Sequence, residues 1–183
     1  MKQKEVINAD SLWLEKPVFQ FPGSPSERIG KGWMLISAGD VSSDKSNWNT
    51  MTASWGGLGV LWGRDVAFIF IRPGRRTFEL ANPASLFSLS FFDESRRKAL
   101  KICGEQSGRD IDKAAVAGLT PMAFEDGAIG FKESKEVLVC RKLYYHDLDP
   151  NTFIDAHAIE THYPDKDYHR MFVGEIIRFM VRS

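Results

Sequence analysis

The order of apolar and polar positions predicts a chain built mainly of strands. Residues 33–39 form a first apolar run, residues 49–55 a second, in which hydroxyls alternate with Met51, Ala53 and Trp55, and residues 65–72 a third. The third is apolar on both faces and is expected to be central. Residues 86–92 alternate Ser88 and Ser90 with bulky apolar groups, Phe131 and residues 137–144 suit an antiparallel layer, and residues 170–180 supply the last strand. Helical signals are short. Residues 77–81 suit a helix capped by Thr77 and stopped by Asn82-Pro83, and from Ser95 a helical pattern runs to Gly104, read as a left-handed cap. A third helix starts near Asp110 and stops at Gly118. Many strands joined by turns, interrupted by short helices, predict a mainly β antiparallel barrel rather than a βαβ sheet, and closure would remove exposed edges. The segment carrying Lys16-Pro17, Phe21-Pro22-Gly23 and Ser24-Pro25-Ser26 reads as an extended arm over residues 1–32, ahead of a single domain over 33–183.

Composition narrows the function classes. With 183 residues and 43% hydrophobic content the chain has the material for one domain with a substantial core. Its 24 basic and 24 acidic side chains cancel, so the global field that draws in nucleic acid or an anionic membrane is missing. The apolar run at residues 66–71 is far too short to span a bilayer, and the polar start at residues 1–5 lacks the apolar stretch of a signal peptide, which predicts a cytoplasmic protein. Cys103 and Cys140 show no metal-binding spacing, and both are expected to be reduced thiols.

Two segments stand out chemically. In Asn49-Thr50-Met51-Thr52-Ala53-Ser54-Trp55-Gly56-Gly57, Thr52 and Ser54 share one face of a strand, where two hydroxyls in register can hold one ligand. A solvent-facing polar side of an edge strand explains the same spacing equally well. In Arg72-Pro73-Gly74-Arg75-Arg76-Thr77, three guanidinium groups and a hydroxyl gather at a turn after an apolar strand. That set suits a phosphate, with a helix opening at Thr77 adding its dipole, although a solvated basic turn fits too. The hydroxyls of Ser88 and Ser90 need partners if buried, and Ser107-Gly108-Arg109-Asp110 with Lys113 reads either as ligand contacts or as a well-capped surface helix. The glycines at 56, 57, 59 and 63 miss the G-x-G-x-x-G register because Trp62 stands in the last place, so they are read as a turn or a close approach. His157, His162 and His169 lack metal-ligand spacing and are read as surface or interface residues, and no nucleophile motif is present. No catalytic residue is named. Any redox chemistry would come from a bound cofactor.

In order, the residue 49–57 segment, Arg72-Pro73 with Arg75 and Thr77, Phe87-Ser88-Leu89-Ser90-Phe91-Phe92, Ser107-Gly108-Arg109-Asp110 with Lys113, and His169-Arg170-Met171-Phe172-Val173-Gly174-Glu175-Ile176 resemble the flavin reductase-like, FMN-binding split-barrel family, in its flavoredoxin-like branch. The likeness runs from about residue 33 to the end of the chain. The resemblance implies a homodimer of split β-barrels holding FMN noncovalently near the subunit interface. It places Thr50, Met51, Thr52, Ala53, Ser54 and Trp55 along the flavin, Arg72, Arg75 and Thr77 at the phosphate, and Ser88, Leu89 and Ser90 near the ring or ribityl chain. Ser107, Gly108, Arg109, Asp110 and Lys113 would complete the pocket. Gly74 departs from the larger polar residue expected there. The implied activity is an oxidoreductase in which NADH or NADPH reduces the flavin, which passes electrons to an acceptor. An FMN-holding electron carrier serving a partner redox protein is the alternative, and a barrel binding some other phosphorylated ligand ranks last.

Overall fold

Strand β2 (Met34–Gly39) is apolar at consecutive positions because both of its faces are covered. Met34 and Ile36 point into the main core, while Leu35 packs beneath a helical layer with Leu100, Cys103 and Phe131. A computed structural model of the chain describes residues 12–42 and 47–183; the polar start at residues 1–5 lies outside them. The other strands are β1 (Trp13–Lys16), β3 (Trp48–Ala53), β4 (Gly56–Leu61), β5 (Arg64–Ile71), β6 (Leu86–Phe91), β7 (Pro121–Ala123), β8 (Ile129–Phe131), β9 (Glu136–Asp147) and β10 (Arg170–Arg182). Helices α1 (Arg76–Ala81), α2 (Arg97–Glu105), α3 (Lys113–Ala117) and α4 (Ala156–His162) are all short.

Among the described residues one antiparallel sheet runs in the order β3-β2-β6-β9-β10-β5-β4, with β1 added to β10, and β7 and β8 form a separate hairpin. Strand β10 changes neighbours along its length: residues 170–175 pair with β5, and residues 179–182 with β1. Register shifts at Val173/Gly174 and Ile176/Arg178 on the β9 side accompany the change, and bulges of this kind bend a strand and increase its twist. The sheet therefore curls around Ile36, Ile69, Leu89, Leu138, Phe172 and Phe179. It does not close. β3 and β4 remain separate edges, since Gly56 at φ 151° turns the chain where an added Cβ would lie 2.5 Å from the Phe68 carbonyl oxygen.

Several expectations change in detail. Strand β5 lies one place in from an edge rather than at the centre, and β4, unforeseen because of its glycines, pairs with it. There the Phe68 ring covers Gly57 and Gly59, standing 3.4 and 3.5 Å from where their Cβ atoms would be. The turn between β4 and β5 puts Trp62 (φ 52°) and Gly63 (φ 70°) in the left-handed region, which a two-residue primed hairpin turn requires. Thr77 is not the cap of α1; Arg75 holds that place, and Thr77 lies fully buried inside the first turn. Gly104 sits within α2 rather than ending it, because the helix needs its small size against Thr52, whose Cβ would be 3.3 Å from a Cβ there. The cap of α3 is Asp112, accepting from the Ala115 amide at 3.1 Å, and not Asp110. Gly118 does terminate α3, at φ 66°. The segment expected as an extended arm contains β1 and a helical turn over Ser26–Lys31.

Candidate functional site

Among the described residues strand β3 is bonded to β2 on one side and pairs with no strand on the other. Along that edge the Thr50 carbonyl accepts from Lys113 Nζ at 3.0 Å, so two residues further on the Thr52 amide and carbonyl face the same way. Three recesses follow the strand. The middle one, about 160 Å³, is lined by Asn49, Met51, Arg75, Thr77, Ser107, Gly108 and Lys113, among others. The second, about 180 Å³, lies towards the end of the strand and is lined by Met51, Thr52, Ala53, Ser54, Trp55, Phe70, Arg72, Arg75 and His169. The third, about 350 Å³, lies at the strand's start, with Trp48, Asn49 and Thr50 facing residues 108–114.

The middle recess gathers Arg75, Arg76, Arg109 and Lys113, with Glu105 as the carboxylate on its wall. Lys113 is buried and bonded to two carbonyl oxygens, of Thr50 and, at 2.8 Å, of Cys103. Burial, with the Arg75 charge nearby, lowers its pKa to about 8. Arg75 Nη1 donates to the Gly104 carbonyl at 3.1 Å, and among the described residues no carboxylate pairs with either cation. Thr77 Oγ1 accepts from Asn49 Nδ2 at 2.8 Å, and Ser107 Oγ accepts from the Arg109 amide at 3.2 Å, so both hydroxyls keep a hydrogen to donate. Gly108 is required by close approach, because a Cβ there would overlap Asn49 Oδ1 and displace the side chain that holds Thr77. Arg76 and Arg109 share one carboxylate, Glu79, whose pKa they hold below the usual range through their hydrogen bonds.

The recess at the end of the strand is aromatic, with Arg72 and Arg75 on its wall. Trp55 packs against His169 at 5.0 Å and His162 at 5.2 Å between ring centroids. His169 is buried rather than on the surface, bonded through Nδ1 to the Tyr163 hydroxyl at 2.9 Å, and burial with the nearby Arg72 lowers its pKa to about 4. It is uncharged at neutral pH. Arg72 pairs with Asp167, donates to the His162 carbonyl at 2.8 Å and lies 5.2 Å over the Tyr163 ring, which ties the segment after α4 to the recess wall.

The residues expected from sequence divide accordingly. Met51, Thr52, Ala53, Ser54, Trp55, Arg75, Thr77, Ser107, Gly108, Arg109 and Lys113 line the two smaller recesses. Arg72 joins them, but at the aromatic end and already paired. Thr50 and Asp110 line the third recess. Of the two hydroxyls read as a ligand-holding pair, Thr52 donates to the Leu100 carbonyl and Ser54 lines the aromatic recess, while the neighbouring Thr50 accepts from Ser37 at 2.9 Å. Ser88, Leu89 and Ser90 lie buried in β6 between β2 and β9, lining none of the three recesses, with Ser88 donating to the Ile129 carbonyl. Phe70 and His169 line the aromatic recess, though sequence reasoning gave Phe70 no role and read His169 as a surface or interface residue. Asn49, the first residue of the polar segment singled out in the sequence, lines the middle recess.

An open strand edge, beside two cations with no carboxylate partner among the described residues, marks a split β-barrel with a basic groove along that edge. The chain belongs to the flavin reductase like domain family, whose model matches residues 26–183. Solved structures share the fold. Flavoredoxin from Methanosarcina acetivorans is 23% identical at a TM-score of 0.60, over 81% of this chain and 67% of that one. An FMN-binding domain of a flavin reductases-like enzyme from Shewanella baltica is 14% identical at 0.63, over 93% and 77%. Nitrilotriacetate monooxygenase component B from Bacillus cereus is 15% identical at 0.64, over 90% and 72%. No curated protein matches the chain in sequence. No helix among the described residues is long and apolar enough to cross a membrane.

Proposed function

We propose that the chain binds FMN noncovalently and works as an oxidoreductase of the flavin reductase and flavoredoxin type, taking electrons from NADH or NADPH. The observation that carries this reading is the pair Arg75 and Lys113, two cations without a carboxylate partner among the described residues, in a recess that adjoins the open edge of β3. Arg75, Lys113, Thr77 and Ser107 would hold the phosphate, since charged donors and free hydroxyls are what a phosphate oxygen accepts from. The Thr52 backbone edge would bond the polar rim of the ring, and Trp55, Ala53 and Phe70 would exclude water from it. When bound, FMN supplies the redox chemistry, accepting hydride from the nicotinamide and passing electrons to an acceptor. His169, neutral and tied to Tyr163, would fix the wall beside the ring without adding charge there.

Anaerobic mixing of the FMN-reconstituted protein with NADH and with NADPH tests the reading. Rapid bleaching of the flavin absorbance by one nucleotide supports it, and bleaching only after a partner reductase is added would make the protein an electron carrier instead.

We also propose a homodimer. Trp62 and Tyr144 meet edge to face at 6.5 Å while remaining 66% and 44% exposed, and Val60 beside them on the unpaired β4 edge is 70% exposed. Exposed apolar groups along an open strand edge suit a protein interface. Light scattering should give twice the mass of the 20.7 kDa chain, and a monomer at micromolar concentration would refute the dimer.

A further inference from the structure

A fourth recess, about 550 Å³, shares no lining residue with the three along β3. It opens between the helical turn over Ser26–Lys31 and the connection from β6 into α2. Trp33, Phe91, Phe92 and Leu100 give it an apolar wall, and Glu27, Lys31, Glu94 and Arg97 bring charges of both signs. Two further charges on the wall are already matched, Arg28 by Glu136 at 2.5 Å and Asp93 by Lys135 at 3.6 Å. Among the described residues the other four have no ion-pair partner, which sets two carboxylates against two cations. Arg97 is held in place. Its guanidinium carbon lies 3.2 Å from the centroid of the Trp33 ring, and Nη1 donates to the Lys31 and Gly32 carbonyls at 2.6 and 3.0 Å. Its Nε and Nη2 have no partner among the described residues. Arg170 uses that same pair of nitrogens to hold both oxygens of Asp147, at 2.6 and 2.7 Å. Trp33 itself stands at φ 66°, just past the cap of the helical turn, in the left-handed region where glycine is the usual residue. A bulky residue kept there against backbone strain points to a use for its ring.

We propose that this recess binds a zwitterionic amino acid with an aromatic side chain, at a second ligand site that does not rest on the FMN reading. The carboxylate takes the free Nε and Nη2 edge of Arg97, a bidentate geometry fixed in advance by the indole and the two carbonyls. The ammonium group lies toward Glu27 and Glu94, and the ring packs on the wall of Trp33, Phe91, Phe92 and Leu100. Charge balance selects the class. In the middle recess of the β3 groove Arg75 and Lys113 lack a carboxylate partner among the described residues, which favours an anion. Here the free charges cancel, which disfavours a net anion such as a nucleotide and matches a ligand carrying one charge of each sign. A small amino acid would leave the apolar wall in contact with water, so the side chain is a large one.

Isothermal titration calorimetry of the full chain with L-phenylalanine tests the proposal. Three analogues each lack one feature: 3-phenylpropionate the ammonium, phenethylamine the carboxylate and L-alanine the ring. The wild type should bind one L-phenylalanine per chain with a Kd below about 1 mM, and each analogue should bind at least about tenfold more weakly. Arg97→Gln, which loses the fork, and the double variant Glu27→Gln with Glu94→Gln should each weaken L-phenylalanine by about tenfold or more. Thermal unfolding reports whether the variants are folded. Neither glutamate has an ion pair to lose among the described residues, so the double variant decides the matter should Arg97→Gln fail to fold. No saturation of the wild type by about 10 mM L-phenylalanine overturns the proposal. So does an unchanged affinity in the folded double variant, and so does 3-phenylpropionate binding as tightly as L-phenylalanine, which would make the recess a plain anion site. In the presence of saturating FMN the Kd for L-phenylalanine should stay within about twofold. Displacement by FMN would put the amino acid in the β3 groove and refute the proposal. A protein that binds L-phenylalanine but no FMN would remove the FMN reading and leave this site standing.

Discussion

Lys113 is buried with carbonyl oxygens as partners, so its charge is held against desolvation and against the neighbouring Arg75. A bound phosphate would reverse that balance by favouring the ammonium form. Flavin binding then takes up a proton once the free protein has lost it, and the sign follows: affinity is full below the free-protein pKa of about 8 and falls as the pH rises through it. A series of FMN titrations from pH 6.5 to 9.5 should show this decline, and Lys113→Met should bind more weakly at pH 7 with the decline removed. A wild-type affinity flat across that range would remove Lys113 from the phosphate site. At this scale the sequence was legible where chemistry is carried by residue type. The guanidinium of Arg75, the small residues at 53 and 108, and the cation at 113 all line the groove. It misled where a hydroxyl's partner belongs to a distant element. Period-two spacing says which way Thr52 and Ser88 point, but the Leu100 and Ile129 carbonyls that engage them come from 48 and 41 residues along the chain.

Among the elements, β10 sets the curl of the barrel, and its bend is bound to one small residue. A Cβ at Gly174 would lie 2.6 Å from Phe87 Cζ and 2.9 Å from Cys140 Cβ, beside the register shift between Val173 and Gly174. Gly174→Ala should therefore destabilise the fold by about 1–3 kcal/mol through overpacking. For a chain of this size that corresponds to a fall in Tm of about 2–4 °C per kcal/mol, read by calorimetry. An unchanged Tm would mean that β6 and β9 yield without strain. The long strands β5, β6, β9 and β10 were legible from their β-branched and aromatic residues, in an unbroken run over 66–71 and in alternation with Ser88 and Ser90 in β6, and so were the stops at Asn82-Pro83 and Gly118. Strand β4 was not, since its glycines carry no pattern and its pairing depends on the Phe68 ring of β5 covering them. The helix ends were misplaced for a similar reason: Gly104 answers a packing demand from β3 rather than a backbone one, and Asp112 caps α3 in place of Asp110.

Over the whole molecule, the antiparallel barrel was legible from the number of strands and the shortness of the helices, whereas its split form came from the family resemblance and not from the strand pattern. Closure is the expectation for a sheet that curls, whereas here the β3 edge is kept free and meets Lys113 from α3. The groove follows from that opening, because backbone groups which a closed barrel would pair are left beside two cations that have no carboxylate partner among the described residues. Binding of FMN at this groove is the central claim, and a fluorescence titration of the wild type against Arg75→Ala tests it most directly. The wild type should saturate at one FMN per chain, and Arg75→Ala should lose about 1.5–3 kcal/mol, or roughly 10–150-fold in affinity, as expected for a charged hydrogen bond to phosphate. Arg76→Ala, whose guanidinium is engaged by Glu79, should lose less than about 1 kcal/mol. No saturable binding by the wild type, or an Arg75→Ala affinity equal to it, would contradict the account.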